Sequence, residues 1–209
     1  MTIEKKTLNA LHHNLVFKRR VRVLARLVAR ELNSGRSVID LGCGDGSIAK
    51  AISIERPEYD IRGLDVFKRP QTWIPVDLFD GRTIPYADRS VDWITIVDVL
   101  HHTDAPAALL TEAARVARMG IIVKDHLRNG FAAYQTLRFM DWVGNRGHDV
   151  RLAYNYLSKA EWESAFAAAS LIVKTWTEEL HLYPAPFNLI FDRHLHFVAT
   201  LIPRREMAR

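Results

Sequence analysis

The stretch Val38-Ile39-Asp40-Leu41-Gly42-Cys43-Gly44-Asp45-Gly46-Ser47-Ile48-Ala49-Lys50 decides the fold of this chain. Apolar and β-branched residues lead into Asp40, glycines follow at every second position, and an amphipathic run begins at Ser47. This order predicts a buried strand, a tight turn and the N-terminus of a helix. Glycine is needed where the backbone takes a positive φ, or where a ligand approaches more closely than a Cβ atom allows. The turn is therefore a candidate nucleotide site.

The glycine spacing narrows the kind of nucleotide. Gly42, Gly44 and Gly46 form G-x-G-x-G, whereas the dinucleotide fingerprint has its third glycine one residue later, where this chain has Ser47. A strand-to-helix turn that needs glycine for geometry alone is the alternative interpretation. Roughly 20 residues downstream, a second predicted strand ends in Asp65, where a nucleotide-binding unit has the carboxylate that accepts hydrogen bonds from ribose hydroxyls. A strand-end acid that caps a loop is the alternative there.

The segment Asp40–Gly46 resembles the first motif of class I S-adenosylmethionine-dependent methyltransferases. In recognisable motifs the resemblance covers about residues 34–126. It implies a Rossmann-like α/β fold with a seven-stranded, mostly parallel sheet, helices on both faces and a reversed last strand. It also implies S-adenosylmethionine as the cofactor and S-adenosylhomocysteine as the product. The turn Arg118-Met119-Gly120 departs from the family, which has a Pro-Gly-Gly turn before the fifth strand.

The resemblance also implies which residues hold the cofactor. The glycine loop is expected to hold the amino-acid end, and Asp65 the ribose. Asp77 is expected to meet the adenine amino group, with Leu78 against the ring and Asp80 as a close rival to Asp77. Cys43, the single cysteine, is expected to be a small packing residue rather than a nucleophile. The expected cofactor residues are Asp40, Gly42, Cys43, Gly44, Asp45, Gly46, Asp65, Val66, Asp77, Leu78, Val97 and Asp98.

The other elements are predicted from hydrophobic periodicity. Strands are expected at residues 60–66, 72–78, 91–97 and 120–126, followed by an antiparallel pair at 171–177 and 195–202. Pro75 places the third strand at an edge of the sheet. Helices are expected at residues 14–33, 47–55, 107–118 and 127–144, and from the capping box at Ser158 onward. Residues 1–13 are expected to be loose.

Histidines at the ends of the fourth and fifth strands are the candidates for acid–base chemistry. An imidazole, with an ordinary pKa of about 6.5, is mostly neutral at pH 7 and accepts a proton from a hydroxyl or a carbon acid. His102 is the first candidate, as a base or as a group that orients the acceptor, and His101 is the second. The alternative is that one of the two packs on the cofactor or holds a loop. His126 and His148 are rivals beside the predicted lid.

No metal site is predicted, because these histidines form no i, i+4 pair and the chain contains no H-E-x-x-H motif. Residues 127–157 are expected to form a helical lid inserted over the site. Its aromatic residues favour a small organic acceptor over a polyanion, and the alternative is that they are core residues. The expected acceptor-binding residues are Tyr134, Arg138, Trp142, Tyr154 and Tyr156.

Composition bounds the remaining possibilities. The 209 residues carry a net charge of +5 and are expected to form one methyltransferase domain, residues 1–209. The absence of a long apolar run and of a signal-peptide core predicts a cytoplasmic protein. Residues 1–33 contain a basic amphipathic helix that is expected to cover the sheet. Peripheral membrane contact through this helix is an alternative, and nucleic acid is not expected as a partner, because the chain has no aromatic ladder or basic repeat. The oligomeric state is not predicted.

Together these features predict an S-adenosylmethionine-dependent methyltransferase that acts on a small, largely apolar or aromatic organic acceptor. O-methylation is favoured over C- or N-methylation. The alternatives are an RNA or protein methyltransferase, or a scaffold that binds the cofactor without catalysis. The fourth strand is not followed by an Asn-Pro-Pro-Tyr-like motif, which argues against N-methylation of nucleic-acid bases.

Overall fold

The computed structural model describes residues 3–144 and 153–204. Seven strands form one sheet: β1 (Ser37–Leu41), β2 (Asp60–Asp65), β3 (Val76–Leu78), β4 (Val91–Val97), β5 (Ala117–His126), β6 (Leu171–Thr177) and β7 (His196–Pro203). The helices are α1 (Ile3–Glu31), α2 (Ser47–Glu55), α3 (Pro106–Val116), α4 (Ala133–Gly144), α5 (Lys159–Ala168) and α6 (Asn188–Phe191). A single 3₁₀ turn, Leu100–His102, follows β4.

The sheet has the strand order β3-β2-β1-β4-β5-β7-β6. The first five strands pair in parallel, and β7 runs antiparallel to both β5 and β6. The predicted mostly parallel sheet with a reversed last strand is therefore confirmed. In this topology the carboxyl ends of β1, β2, β3, β4 and β5 meet at one edge of the sheet, where α/β proteins bind their ligands. The first residue of β7, His196, lies at the same edge because it pairs with His126.

Helices cover both faces of the sheet. On one face, α3 and α5 contribute Leu110 and Trp162 to a core that includes Ile94 and Phe197. On the other face, α1 and α2 pack against residues such as Ile61 and Ile122. A sheet that is covered on both sides explains why β4 is apolar along its length rather than alternating.

The last part of α1 covers the sheet, as the sequence predicts. Leu24, Val28 and Leu32 are fully buried, whereas Arg26 and Arg30 are exposed. The apolar stripe of this segment is therefore already used inside the protein. Among the described residues, no helix has the length and apolar character needed to cross a membrane.

Several predicted boundaries are wrong for identifiable reasons. Helix α1 begins at Ile3 rather than residue 14, since the first turns contain no helix breaker. Helix α4 begins at Ala133 rather than residue 127, because Gly130 and Ala132 adopt positive φ values of 82° and 55°. Strand β3 begins only at Val76, because Trp73 donates its backbone N–H to the glycine loop at Asp45.

Three further differences lie toward the second half of the chain. Strand β5 begins at Ala117, three residues earlier than predicted. The residues of the short Arg118-Met119-Gly120 turn belong to the strand, because a register shift in its pairing with β4 accommodates them. Strand β7 begins and ends one residue later than predicted, and α3 ends two residues earlier, at Val116. The short helix α6 was not predicted. The capping box at the start of α5 is confirmed: the Ser158 hydroxyl accepts from the Glu161 N–H, and the Glu161 carboxylate accepts from the Ser158 N–H.

Candidate active site

The glycine loop contains two glycines that pack and one that faces open space. Gly42 and Gly46 adopt φ values of 73° and 76°, and a Cβ atom at either would overlap the side chain of Val99 or Ile74. Gly44 adopts a φ of 59°, and a Cβ atom there would meet no atom within 4 Å. The loop can therefore be approached closely at Gly44 without any rearrangement of the fold.

Asp65 ties the end of β2 to this loop. Its Oδ2 atom accepts a hydrogen bond from the Gly44 N–H at 2.7 Å, and its Oδ1 atom accepts one from the Phe67 N–H at 3.1 Å. A carboxylate has about four lone-pair sites, so both oxygens retain acceptor capacity. The predicted ribose role and the loop-capping alternative are thus compatible in the same side chain.

An apolar shelf lies beside Asp65 at the ends of β2 and β3. Val66, Phe67 and Leu78 are 63%, 58% and 58% exposed, and Leu78 pairs in register with Asp65. Exposed apolar side chains at the ligand-binding edge of the sheet suit a flat aromatic base. The two candidates for the adenine amino group differ, because Asp80 Oδ1 already accepts from the Arg82 and Thr83 N–H groups, whereas Asp77 is exposed at the end of β3.

Other predicted loop residues support the turn itself. Asp45 Oδ1 accepts from the Ser47 N–H at 2.9 Å at the start of α2. Cys43 packs into the core at a place where a Cβ atom on Gly63 would overlap its sulfur, and burial raises the pKa of its thiol. Both observations fit the interpretation of Cys43 as a packing residue.

Asp40 is a buried carboxyl beneath the loop. Its Oδ1 atom accepts from the Thr95 hydroxyl at 2.7 Å. Burial is the main cause that raises the pKa of Asp40 from 3.8 to about 7, the Thr95 hydrogen bond opposes it, and the charge of Asp65 adds to it. The folded protein therefore binds a proton at Asp40 more tightly than the unfolded chain does.

We expect stability to fall as this carboxyl ionises. A raised folded-state pKa means that the contribution of Asp40 is intact below pH 4 and is lost as the pH rises through about 7. Asp40→Asn removes the ionisation and keeps the Oδ1 acceptor for Thr95, so it should raise the free energy of unfolding by about 4 kcal/mol at pH 8 and by about 2 kcal/mol at pH 5. Urea unfolding of both proteins at pH 5 and pH 8 measures this. Equal stabilisation at the two pH values would contradict the assignment.

Asp98 follows β4 and joins two cations. Lys124 is fully buried, and its Nζ donates to Asp98 Oδ1, while Arg20 Nη2 donates to Asp98 Oδ2 at 3.0 Å. Burial raises the pKa of Asp98, but the charges of Lys124 and Arg20 lower it by more than burial raises it. The pKa of Asp98 therefore lies below its ordinary value. Asp98 adopts a φ of 57°, a left-handed conformation that aspartate tolerates better than most residues.

Arg20 is a site residue that the sequence interpretation missed. The arginines of α1 were expected to lie in water, yet Arg20 reaches from α1 to the carboxyl edge of the sheet. Its Nε atom is buried and has no hydrogen-bond partner. The available signal was its position one helical turn before the buried Leu24, on the same face of the helix.

A cluster of histidines and aspartates fills the space between the ends of β4 and β5. His101 Nδ1 lies 2.6 Å from Asp125 Oδ1 and 3.2 Å from His126 Nδ1. Asp141, from α4, lies 3.5 Å from His101 Nε2 and 3.8 Å from His126 Nε2. All four residues are buried. The His102 ring centroid lies 4.0 Å from that of His101, so the fold brings together three of the four predicted histidines. Asp125, the neighbour of His126 in sequence, was a candidate to orient an imidazole, whereas Asp141 was not assigned to the site.

The two adjacent histidines of the 3₁₀ turn have opposite environments. Burial lowers the pKa of His101, but the charges and hydrogen bonds of Asp125 and Asp141 outweigh it and raise the pKa to about 10. Burial and the neighbouring His101 lower the pKa of His102 to about 4. His102 is only partly buried, and its Nδ1 atom has no hydrogen-bond partner. His148 lies outside the described residues.

The predicted acceptor residues divide into two groups. The Tyr156 hydroxyl donates to Asp141, and the Tyr134 ring stands edge-on to Tyr156 with centroids 5.7 Å apart. The Arg138 guanidinium lies 5.0 Å from the Tyr154 ring centroid. Trp142 instead lies on the exposed side of α4 beside Phe139. Three tyrosines therefore stand near the histidine cluster, and Trp142 stands beside Phe139.

Comparisons with known proteins concern the family and the fold. A model of the methyltransferase domain matches residues 13–173. A demethylmenaquinone methyltransferase of Renibacterium salmoninarum is 25% identical over 139 residues, covering 60% of this chain and 59% of that protein. A ubiquinone biosynthesis O-methyltransferase of Photobacterium profundum is 27% identical over 96 residues, covering 40% of each. The chain therefore spans only about half the length of these curated relatives.

The fold also has solved counterparts. A chain of the complex between the Haloferax volcanii Trm112 methyltransferase activator and the putative methyltransferase superposes with a TM-score of 0.70. It is 16% identical in sequence, and the match covers 97% of both chains. At that identity the likeness concerns the fold.

Proposed function

The chain belongs to the class I S-adenosylmethionine-dependent methyltransferases, and we propose that it transfers a methyl group to a small, largely apolar or aromatic organic acceptor, with oxygen as the favoured atom. The observation that carries this proposal is one shared edge of the sheet. The loop that is open at Gly44, the carboxylate of Asp65 and the partly buried His102 all lie there.

The cofactor is expected to lie along this edge. Gly44 offers space beside the backbone, Asp65 offers acceptors for two ribose hydroxyls, and the apolar shelf of Val66, Phe67 and Leu78 offers a surface for adenine. The unpartnered Nε–H of Arg20 suits the carboxylate of the amino-acid end. When bound, the cofactor supplies a methyl group on a positively charged sulfur.

The protein's own contribution to the reaction is mainly positional. A nucleophile held in line at about 3 Å from the methyl carbon avoids most of the entropic cost of the encounter. For a hydroxyl acceptor, a proton must also leave the oxygen as the new bond forms. His102, which its lowered pKa keeps neutral at pH 7, is suited to hold the hydroxyl in place through its unpartnered Nδ1 atom, and it is a weak base for the departing proton.

The tyrosines and the relatives support the acceptor class. Tyr134, Tyr154 and Tyr156 stand together beside the cluster, and aromatic walls favour an apolar ring over a polyanion. The names of the two curated relatives refer to demethylmenaquinone and to ubiquinone biosynthesis. These names support an acceptor with an apolar ring, and the second supports methylation at oxygen.

His102→Gln is expected to lower kcat by about 100-fold and to leave cofactor binding unchanged, because the side chain acts on the acceptor. Methyl release from labelled cofactor gives kcat, and calorimetry gives the cofactor Kd. His194→Asn is a matched control, since His194 is exposed and its φ of 53° is one that asparagine accepts. A variant with full kcat would remove His102 from the mechanism.

The function itself is tested with a panel of acceptors. Labelled S-adenosylmethionine is incubated with the full chain and hydroxylated aromatic compounds, or with cell extract before and after nuclease or protease treatment. We expect methyl transfer to an organic-soluble product that neither treatment prevents. Label found only in RNA or protein would contradict the proposal, and so would cofactor binding without transfer to any fraction.

A further inference from the structure

Two imidazole rings point the same nitrogen at one small space. His101 Nδ1 and His126 Nδ1 lie 3.2 Å apart, and Asp125 Oδ1 lies 2.6 Å from the first and 3.6 Å from the second. Asp98 Oδ1 lies 3.7 Å from His126 Nδ1. These four atoms all lie within 4.8 Å of one another, and three of the four residues are buried.

Hydrogen bonds link the two imidazoles to each other and to Asp125, and Asp98 Oδ1 accepts from Lys124 Nζ. A single hydrogen on one of the facing Nδ1 atoms can be donated in good geometry to only one acceptor. Asp125 Oδ1 already accepts the backbone N–H of His126 at 2.6 Å. Two ring nitrogens and two carboxylate oxygens converge on one small space, and an ion bound there shares Asp98 Oδ1 with the Lys124 ammonium. Convergent electron pairs of this kind are the usual environment of a metal ion.

We propose that His101, His126 and Asp125, with Asp98 as the fourth ligand, bind a divalent transition-metal ion of the zinc class. Zinc bonds of about 2.0–2.2 Å place neighbouring ligand atoms roughly 3–3.5 Å apart. His126 Nδ1 lies 3.2 Å from His101 Nδ1, 3.6 Å from Asp125 Oδ1 and 3.7 Å from Asp98 Oδ1, and these separations are close to this range. The 2.6 Å contact between His101 Nδ1 and Asp125 Oδ1 would lengthen when the ion replaces the proton between them. Two imidazoles with two carboxylates suit zinc, whereas magnesium prefers oxygen ligands throughout.

Asp141 gives independent support on the far side of both rings. While each ring directs Nδ1 inward, its Nε2 faces an oxygen of Asp141, at 3.5 Å from His101 and 3.8 Å from His126. A histidine that binds a metal commonly donates its other ring N–H to a carboxylate, which fixes the ring. The Tyr156 hydroxyl in turn donates to Asp141 and holds it in place.

The charges around the site also accommodate an ion. Asp98, Asp125 and Asp141 carry three negative charges against the two positive charges of Lys124 and Arg20. With neutral imidazoles the group has an excess of one negative charge. Either a proton on His101 or a cation between the ligands compensates it, and ion binding therefore releases a proton.

Metal binding is measured on the full chain, independently of methyl transfer. The protein is stripped with chelator and titrated with ZnCl₂, CoCl₂ and MgCl₂ by calorimetry, and the visible absorption of bound Co²⁺ reports its ligand geometry. We expect one Zn²⁺ per chain with a Kd below about 1 µM, a tetrahedral Co²⁺ spectrum and no measurable binding of Mg²⁺. A wild-type protein that binds no Zn²⁺ at this strength overturns the proposal, whatever its methyltransferase activity.

Variants locate the ion. Asp125→Asn and His126→Gln should each weaken Zn²⁺ binding by about 100-fold or more, and His194→Asn should not change it. His102→Gln should also leave Zn²⁺ binding unchanged, because His102 is outside the ligand set. Loss of binding with His102→Gln or His194→Asn alone overturns the assignment. Should the site variants not fold, anomalous scattering from Zn²⁺ in wild-type crystals decides between these four ligands and any other position.

Discussion

Gly44→Ala should lower the affinity for S-adenosylmethionine by about 1,000-fold, equivalent to about 4 kcal/mol, while the protein remains folded. The new Cβ atom meets no protein atom within 4 Å, so it projects into the space that the cofactor is expected to occupy. The left-handed backbone at this position costs an alanine about 1–2 kcal/mol, which lowers stability without unfolding a domain of ordinary stability.

Gly46→Ala is the matched control for this experiment. A Cβ atom there overlaps Ile74, so we expect the variant to lose stability first and cofactor binding only as a consequence. Calorimetry measures the affinity, and thermal unfolding without ligand measures the stability of each variant. Gly44→Ala protein that binds the cofactor within about tenfold of wild type would show that the open space is not the cofactor site.

Asp98→Asn should lower the free energy of unfolding by about 3–4 kcal/mol, because it leaves Lys124 and Arg20 without their anion. Asparagine keeps the size of the side chain and tolerates the φ of 57°, so the effect is one of charge. The estimate is at the lower end for a buried ion pair because the Asp98 side chain is 21% exposed. Since about 1 kcal/mol corresponds to 2–4 °C at this chain length, the Tm should fall by about 10 °C.

A double variant separates charge pairing from packing. Lys124→Met removes the fully buried partner, and Asp98→Asn with Lys124→Met should be more stable than Asp98→Asn alone. Urea unfolding of the wild type, both single variants and the double variant gives the coupling energy. Additive losses would contradict the ion pair as the source of stability.

The first half of the site was predictable from sequence because its signals are local. The strand, the glycine turn and the helix start follow one another directly between Val38 and Lys50, and the structure confirms β1 and α2. Asp65 lies at the end of the next strand, so the chain order alone places it beside the loop. Likewise, the unbroken apolar character of β4 indicates a strand that is covered on both faces.

The histidine cluster was not predictable, because it depends on register and side-chain direction. The pairing of Val97 with Lys124 sets the end of β4 beside the end of β5. Neighbouring residues of a strand normally point to opposite faces, yet Asp125 and His126 meet the same partner, His101, at the end of β5. The third aspartate comes from α4, and Asp141 had no local signal at all. The order of preference between His102 and His101 stays a prediction.

The α1 helix shows the limit of composition as a guide. The run of basic residues around Arg20 suggested a solvated basic face, and the exposed Arg26 and Arg30 agree with that. Arg20 lies among them in sequence but is directed to Asp98. The position of Arg20, one helical turn before the buried Leu24, was more informative than the number of basic residues in the helix.

A crystal structure of the full chain with S-adenosylhomocysteine tests the central claim most directly. The account predicts ribose hydroxyls on the Asp65 carboxylate, adenine against Phe67 and Leu78, and the amino-acid end beside Gly44 within reach of Arg20. Nucleotide bound elsewhere, or none bound by folded protein at saturating concentration, would contradict it.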